Sequence, residues 1–356
     1  MKQQPVIAFK KPTYPVSEAL YNYLTEYGRN VIIPVFYDDL LRFTGSVELF
    51  DKNDNDTLWI RVLYPDHERA DIDMNLKKIY TIMHSDGTDY SIPNLNIDAI
   101  DYCTFGNSRP FRVKIRNILN DNYTYLYVKK ADASRIYGLE LEELLSPNKV
   151  DFLVHNDTLI EEHILGIPGD IFIDEHLPKL TIREQKQISK EFVKFNERCM
   201  IRLLGDMRSY NYVFVVSHDF DQVQYRIRAI DFDQQTFEGS LKIYLPQFFK
   251  ENSKLVQMVE RSLQPESIIQ YKNEERSLLA KRAKASHNRL EKLVTCMTAD
   301  TLSKPEKVLQ LRREIKAFTK DVNFKKANSM GEILKFALDF VIRNYQNVNP
   351  YIINLR

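Results

Sequence analysis

The chain has 356 residues, with 50 Lys and Arg against 49 Asp and Glu, 7 His, 3 Cys, 44% hydrophobic residues and 12% aromatics. This composition excludes collagen-like, low-complexity and largely disordered chains, and the length predicts two or three compact units, because single cores seldom grow past roughly 250 residues. No run approaches the ~20 apolar residues of a membrane span, and Met1-Lys2-Gln3-Gln4-Pro5 lacks the apolar core of a signal peptide, so a soluble, cytoplasmic protein without a membrane span is expected.

Cys103, Cys199 and Cys296 have neither metal-ligand spacing nor the even count of a disulfide framework, and are expected as buried thiols. The near-neutral total hides an asymmetry. Residues 241–356 hold 22 Lys and Arg and 12 Asp and Glu, leaving 28 against 37 in residues 1–240. A basic C-terminal third can attract nucleic acid, an anionic partner or the acidic remainder of the same chain, and the last is the favoured reading.

Residues 1–95 read as an α+β cap. Val16 to Tyr27 predicts a helix and Asn30 to Phe36 a strand. Ser46 to Phe50 and Thr57 to Leu63 form a hairpin around Asp51-Lys52-Asn53-Asp54-Asn55, and Glu68 to Met83 is a second helix. Residues 96–165 look β-rich: Ile97 to Phe105, Phe111 to Ile118 and Tyr123 to Lys130, then a short helix over Leu139 to Leu145, then Val150 to His155 and Thr158 to Ile164. Turn compositions separate these strands.

Residues 166–265 open with the clearest helix. Thr181 and Glu184 make a capping box, and Ile188, Phe192, Phe195, Cys199 and Leu203 step along one face until Gly205. A hairpin follows, Tyr212 to Val216 and Tyr225 to Ile230, with Ser217-His218-Asp219 as its turn. Residues 266–356 read as a basic helical extension: Ser267 to Met297, Glu306 to Val322 and Glu332 to Tyr345, the last two opening with Ser303…Glu306 and Ser329…Glu332 boxes.

The chemistry is concentrated in Gly205-Asp206-Met207-Arg208-Ser209-Tyr210-Asn211 and Ile230-Asp231-Phe232-Asp233. An Asp and an Asn five apart on a tight loop after a helix can converge with an Asp at the end of a neighbouring strand. Phosphoryl transfer uses such a set: one carboxylate orients the nucleophile, while a carboxylate and an amide oxygen hold Mg²⁺ against nucleotide phosphates. The spacing alone is uninformative. The order is what counts: capped helix, Gly-Asp loop, Asn, hairpin, apolar strand, Asp-Phe-Asp.

Over residues 97–250 this order resembles the protein-kinase-like superfamily, nearer to its atypical members, the phosphoinositide lipid kinases and HipA-like bacterial kinases. The resemblance implies an α+β, two-lobed protein-kinase-like fold with the N-terminal cap and the C-terminal helical extension added. It implies ATP and Mg²⁺ as cofactors, Asp206 as the catalytic residue, and Asn211 and Asp231 as metal ligands with Asp233 beside them. The phosphate-gripping lysine would be Lys129 or Lys130, with Lys129 favoured by Lys129-Lys130-Ala131-Asp132. Its helix partner would be an acid of Leu139-Glu140-Leu141-Glu142-Glu143, with Glu140 favoured. Ser108, in the turn Gly106-Asn107-Ser108, would lie in the phosphate-covering loop, and main-chain groups from Glu162 to Ile164 would meet an adenine.

The sequence also departs from the family. No His-Arg precedes Asp206, and Met207-Arg208 stands where lipid kinases carry Arg-His, leaving Arg208 to do the charge work alone. Asp233 replaces the last Gly of Asp-Phe-Gly, and no Ala-Pro-Glu closure follows. These differences bear on the acceptor class more than on nucleotide binding.

Glu161-Glu162-His163 could suggest metal, but on a strand Glu161 and His163 share a face that Glu162 does not. No P-loop, dinucleotide fingerprint or nucleophile elbow is present. The expectation is an ATP- and Mg²⁺-dependent phosphotransferase. Its acceptor, whether protein hydroxyl, lipid headgroup, sugar or small metabolite, is set by cleft shape rather than by short motifs. The alternatives are a pseudokinase-type nucleotide-binding module without turnover, and a scaffold contacting nucleic acid through Lys281, Arg282, Lys284, Arg289 and Lys292.

Overall fold

A computed structural model describes residues 11–84, 89–219 and 222–346 of the chain; the Met1–Pro5 segment read above lies outside the described residues. The fold is mixed α+β and divides into two compact units, residues 1–132 with 150–163, and residues 133–149 with 164–356.

The first unit is built on a seven-stranded antiparallel sheet of order β1-β2-β3-β4-β5-β7-β6. Its strands are β1 (Gly45–Phe50), β2 (Asp56–Leu63), β3 (Leu95–Cys103), β4 (Phe111–Asn117), β5 (Tyr123–Lys130), β6 (Phe152–His155) and β7 (Thr158–Glu162). The β1–β2 turn closes because the Asp51 carboxylate accepts from the Asn53 and Asn55 amides at 2.8 and 2.9 Å. Three helices accompany the sheet: α1 (Glu18–Glu26), α2 (Tyr37–Leu40) and α3 (Asp66–His84).

The period-two alternation of the strands decides the layers. Ile100, Phe111, Val113, Ile115, Leu126, Val128 and Ile160 enter one hydrophobic core with Leu76 and Ile79 of α3. Arg61, Arg112 and Lys129 alternate with them. Arg112 lies over Trp59 and Tyr125, with its guanidinium carbon 4.5 and 5.4 Å from the ring centres. Because β1, β2 and α3 share this sheet and core, the expected boundary at residue 95 does not separate two bodies.

One expected strand is absent. Asn30 to Phe36 makes a single bridge, Asn30 to Val154, and runs irregularly through Pro34, while Ile33 and Val35 still reach the core.

The second unit begins with α4 (Ala133–Leu145), which starts six residues earlier than expected. After the short strand β8 (Ile167–Pro168) and the single turn α5 (Gly169–Ile171) comes α6 (Ile182–Arg202), capped by the reciprocal Thr181–Glu184 bonds. It ends on Leu203 in the left-handed region, φ 55°, two residues before the expected Gly205. β9 (Tyr212–Asp219) and β10 (Gln222–Ala229) pair in register up to Asp219 opposite Gln222, so Ser217-His218-Asp219 continues the strand rather than turning it. β8 completes this sheet.

The remaining helices are α7 (Ser253–Ser262), α8 (Pro265–Ala285), α9 (His287–Ala299), α10 (Pro305–Thr319) and α11 (Met330–Asn344). The single helix expected over Ser267 to Met297 is two, broken at Ser286 (φ −102°, ψ 23°). The Ser303 box does not form: Pro305 occupies the first turn of α10, and the Ser303 hydroxyl donates to the Phe237 carbonyl at 2.6 Å. The Ser329 cap does form, accepting from the Glu332 amide.

Only Cys199 of the three free thiols is buried; Cys103 and Cys296 are half-buried. Among the described residues no helix is long and apolar enough to cross a membrane.

Candidate functional site

The Gly205–Asn211 loop follows α6 and is fixed from several sides. A Cβ on Gly205 would lie 3.0 Å from Ile243 Cγ2 and 3.1 Å from the Gln234 carbonyl, so a larger residue would press tightly on both. Asp206 takes the left-handed conformation, φ 58°, which Asp tolerates better than most residues. Its amide donates to the Ile243 carbonyl at 3.1 Å, and its carbonyl accepts from the Arg208 amide at 2.8 Å and from Asn211 Nδ2 at 2.7 Å. Asn252, fully buried, donates to the Met207 and Pro246 carbonyls and accepts from the Tyr212 hydroxyl. Gly169 lies so close that an added Cβ would stand 2.3 Å from the Ser209 carbonyl oxygen.

These constraints aim two oxygens. Asp206 Oδ1 accepts from Arg208 Nε at 2.8 Å, and Oδ2 makes no hydrogen bond among the described residues. Arg208 Nη1 reaches Glu251 at 2.9 Å. Burial pushes the Asp206 carboxyl above its ordinary value; the Arg208 hydrogen bond and charge act against this, and Glu251 and Glu238 add to it. Asn211 commits Nδ2 to the Asp206 carbonyl, and its Oδ1 has no partner among the described residues.

Asp231 arrives by the sheet. The Ile230 amide donates to the Asn211 carbonyl at 3.0 Å, placing the next residue beside the loop. Tyr210 reports the convergence. Its phenol is pushed up first by burial, with Arg208 opposing and Asp206, Glu251 and Asp231 all contributing.

Arg135 of α4, its side chain 2% exposed, bridges Asp231 Oδ1 at 2.8 Å and Asp233 Oδ1 at 2.9 Å with one nitrogen. The Asp233 amide donates to the same Asp231 oxygen at 3.1 Å. Phe232 between them is fully buried against α4, where Gly138 leaves room: a Cβ there would come within 2.9 Å of Phe232 Cβ.

The predicted residues therefore fall into groups. Asp206, Arg208, Asn211, Asp231 and Asp233 come together in the second unit. Lys129 belongs to the first unit, on an interior strand, and its buried amine pairs at 2.9 Å with Glu161 of β7. Lys130 is exposed on the opposite side of β5. Glu140 is fully buried in the second unit and accepts two bonds from Arg289, at 2.9 and 2.7 Å.

Ser108 is half-buried in the β3–β4 turn, where Gly106 has φ 86°. Glu162 stands 3.6 Å from His84 Nε2, and Ile164 is half-buried at the start of the second unit's longer segment. Among the described residues no group of three or more His, Cys, Asp or Glu side chains could hold a metal ion.

Sequence reasoning missed Arg135, Glu251 and Asn252, and the pairing of Glu161 with Lys129. Glu161 was within reach: β5 and β7 pair, and the alternation puts Lys129 and Glu161 on one face. No local pattern marks the other three.

No protein-family model matches this chain, and no curated protein is similar enough to match it.

Proposed function

We propose that the protein is an ATP- and Mg²⁺-dependent phosphotransferase of kinase-like fold, with Asp206 as the residue that orients and accepts the proton of the incoming hydroxyl. The observation that carries this reading is the juxtaposition of an Asp206 oxygen and an Asn211 amide oxygen, neither hydrogen-bonded, beside Asp231. A raised carboxyl suits a group that must take a proton.

The donor set fits Mg²⁺ better than a self-sufficient metal cage. Mg²⁺ takes one or two protein oxygens and completes its shell with phosphates and water, and Asp231 and Asn211 supply that number. Bound with the nucleotide, it would neutralise charge on the phosphates. Arg208 holds Asp206 in one rotamer, and Asn252 and Gly169 hold the loop, so positioning comes from the chain itself.

A second reading, nucleotide binding without turnover, has one observation in its favour: Asp231 and Asp233 are already paired with Arg135. Thermal stability with ATP, with and without Mg²⁺, followed by ATP turnover in the wild type, Asp206→Ala and Asp231→Ala, separates the two. Turnover lost in both variants supports the phosphotransferase, binding without turnover in the wild type selects the module, and no ATP-dependent shift in the wild type ends both.

A further inference from the structure

Arg135 is an unusual neighbour for a cation site. Its guanidinium is almost wholly buried, and its Nη1 binds Asp231 Oδ1 and Asp233 Oδ1 together, while Nη2 reaches the Ile230 carbonyl at 3.3 Å. It therefore sits on the carboxylate that the proposed function gives to the metal. Asp231 is one-third exposed and Asp233 much less, so the pair opens to solvent on the Asp231 side. Two carboxylates this close repel each other unless a positive charge lies between them, and the interaction strengthens away from water.

We infer that Arg135 is a resident counter-charge, which holds Asp231 and Asp233 in place until a divalent cation takes Asp231 from it. The inference rests on the phosphotransferase reading, and it adds a control on that site. Asp231 exchanges one positive partner for another, while Asp233 stays bound to Arg135 of α4. Ser134, the preceding residue, fixes the same end of the helix by donating to the Asp233 and Gln235 carbonyls at 3.2 and 2.8 Å. The cation thus competes with a charge built into the fold, and its apparent affinity is lowered by that competition.

The test uses the full chain and Mg²⁺ or Mn²⁺ alone, by titration calorimetry and by the rise in Tm on adding the cation. Arg135→Gln leaves two facing carboxylates without their guanidinium. It should bind the cation roughly tenfold more tightly than wild type and gain more Tm from it, while being less stable in EDTA. A merely structural arginine would lower stability without tightening metal binding.

Arg135→Lys keeps the charge but cannot bridge both carboxylates and reach the Ile230 carbonyl. It should tighten cation binding by a smaller factor, and it carries the test if the glutamine variant does not fold. Cation affinity unchanged or weaker in the folded variants, with wild type still responding to Mg²⁺ and ATP, overturns the role of Arg135 and leaves the phosphotransferase standing. No response to Mg²⁺, with or without ATP, in any of the proteins removes both.

Discussion

Glu142 forms an enclosed ion pair in the second unit, and its removal has a calculable cost. Its carboxylate accepts from Ser146 Oγ at 2.7 Å and Asn148 Nδ2 at 2.6 Å, and pairs with Arg202, the last residue of α6. Both side chains of the pair are within 3% of full burial. Burial alone would raise the glutamate, but the Arg202 charge and the two neutral donors outweigh it and hold the carboxyl below its ordinary value.

Glu142→Gln keeps the shape and leaves Arg202 charged with little else to satisfy it. Breaking a buried pair on one side costs about 3–5 kcal/mol. For a unit of this size, at about 2–4 °C per kcal/mol, the unit's Tm should fall by roughly 6–20 °C in calorimetry. The folded carboxyl is depressed, so its contribution is complete above the unfolded value near ~4.3 and disappears as pH falls through the lower folded value. The gap between wild type and Glu142→Gln should therefore be full at pH 7 and close in acid. A double change, Glu142→Leu with Arg202→Met, removes both charges and should recover most of the loss. A Glu142→Gln penalty below about 1 kcal/mol in urea unfolding at pH 7 would refute this account of a desolvated, mutually dependent pair.

Other consequences can be measured directly. Asp206→Asn should lower turnover by about 10²–10⁴-fold while preserving the ATP-induced rise in Tm, since it removes proton acceptance rather than nucleotide contacts. In wild type, because burial raises Asp206, turnover should decline on acidification at a higher pH than an ordinary aspartate would give; a pH–rate profile with its acid limb at the usual Asp value contradicts the role. Gly169→Ala must displace the Ser209 carbonyl, so circular dichroism melts should register a loss of about 1–3 kcal/mol, and turnover should fall further than stability explains. Cys199, buried and pushed up to about 12, should resist a thiol reagent until the chain unfolds, whereas Cys103 and Cys296 react in the native protein.

Signals that live within a few residues were legible, and signals that depend on distant partners were not. The Thr181–Glu184 box, the alternating strands β3 to β5 and the Asp206–Asn211 spacing can all be read along the chain. Helix α4 was read six residues short because Ala133-Ser134-Arg135-Ile136 carries no capping pattern. Ser134 and Arg135 look like surface residues there, and are buried only because carbonyls and carboxylates nearly a hundred residues later accept from them. The break at Ser286 lacks a Gly or Pro to announce it. Nor does any local pattern announce that Glu140 accepts from Arg289, almost 150 residues later in the chain.

The charge asymmetry between the chain's ends has a similar origin. Arg276 of α8 binds Glu197 of α6 at 2.5 Å with both side chains buried, and Glu275 receives Arg198 at 3.2 Å. Arg289 of α9 satisfies Glu140 and approaches Glu143 at 3.5 Å, and Arg282 donates to the Ser146 carbonyl at 3.0 Å. Arg276 and Arg289 of the basic extension are thus paired with acids of α6 and α4. Those two helices carry Arg135 and lead into the Asp206 loop.

Deleting residues 266–356 would take Arg276 from Glu197 and leave a buried, unpaired carboxylate, a multi-kcal/mol penalty, and would take Arg289 from Glu140. A loss of nucleic-acid binding after that truncation would therefore report the collapse of the second unit. Charge reversal at solvent-facing Lys281 and Lys292 tests a nucleic-acid surface without touching those pairs. Unchanged, salt-insensitive behaviour there would leave the basic third with the structural task that its buried arginines already perform.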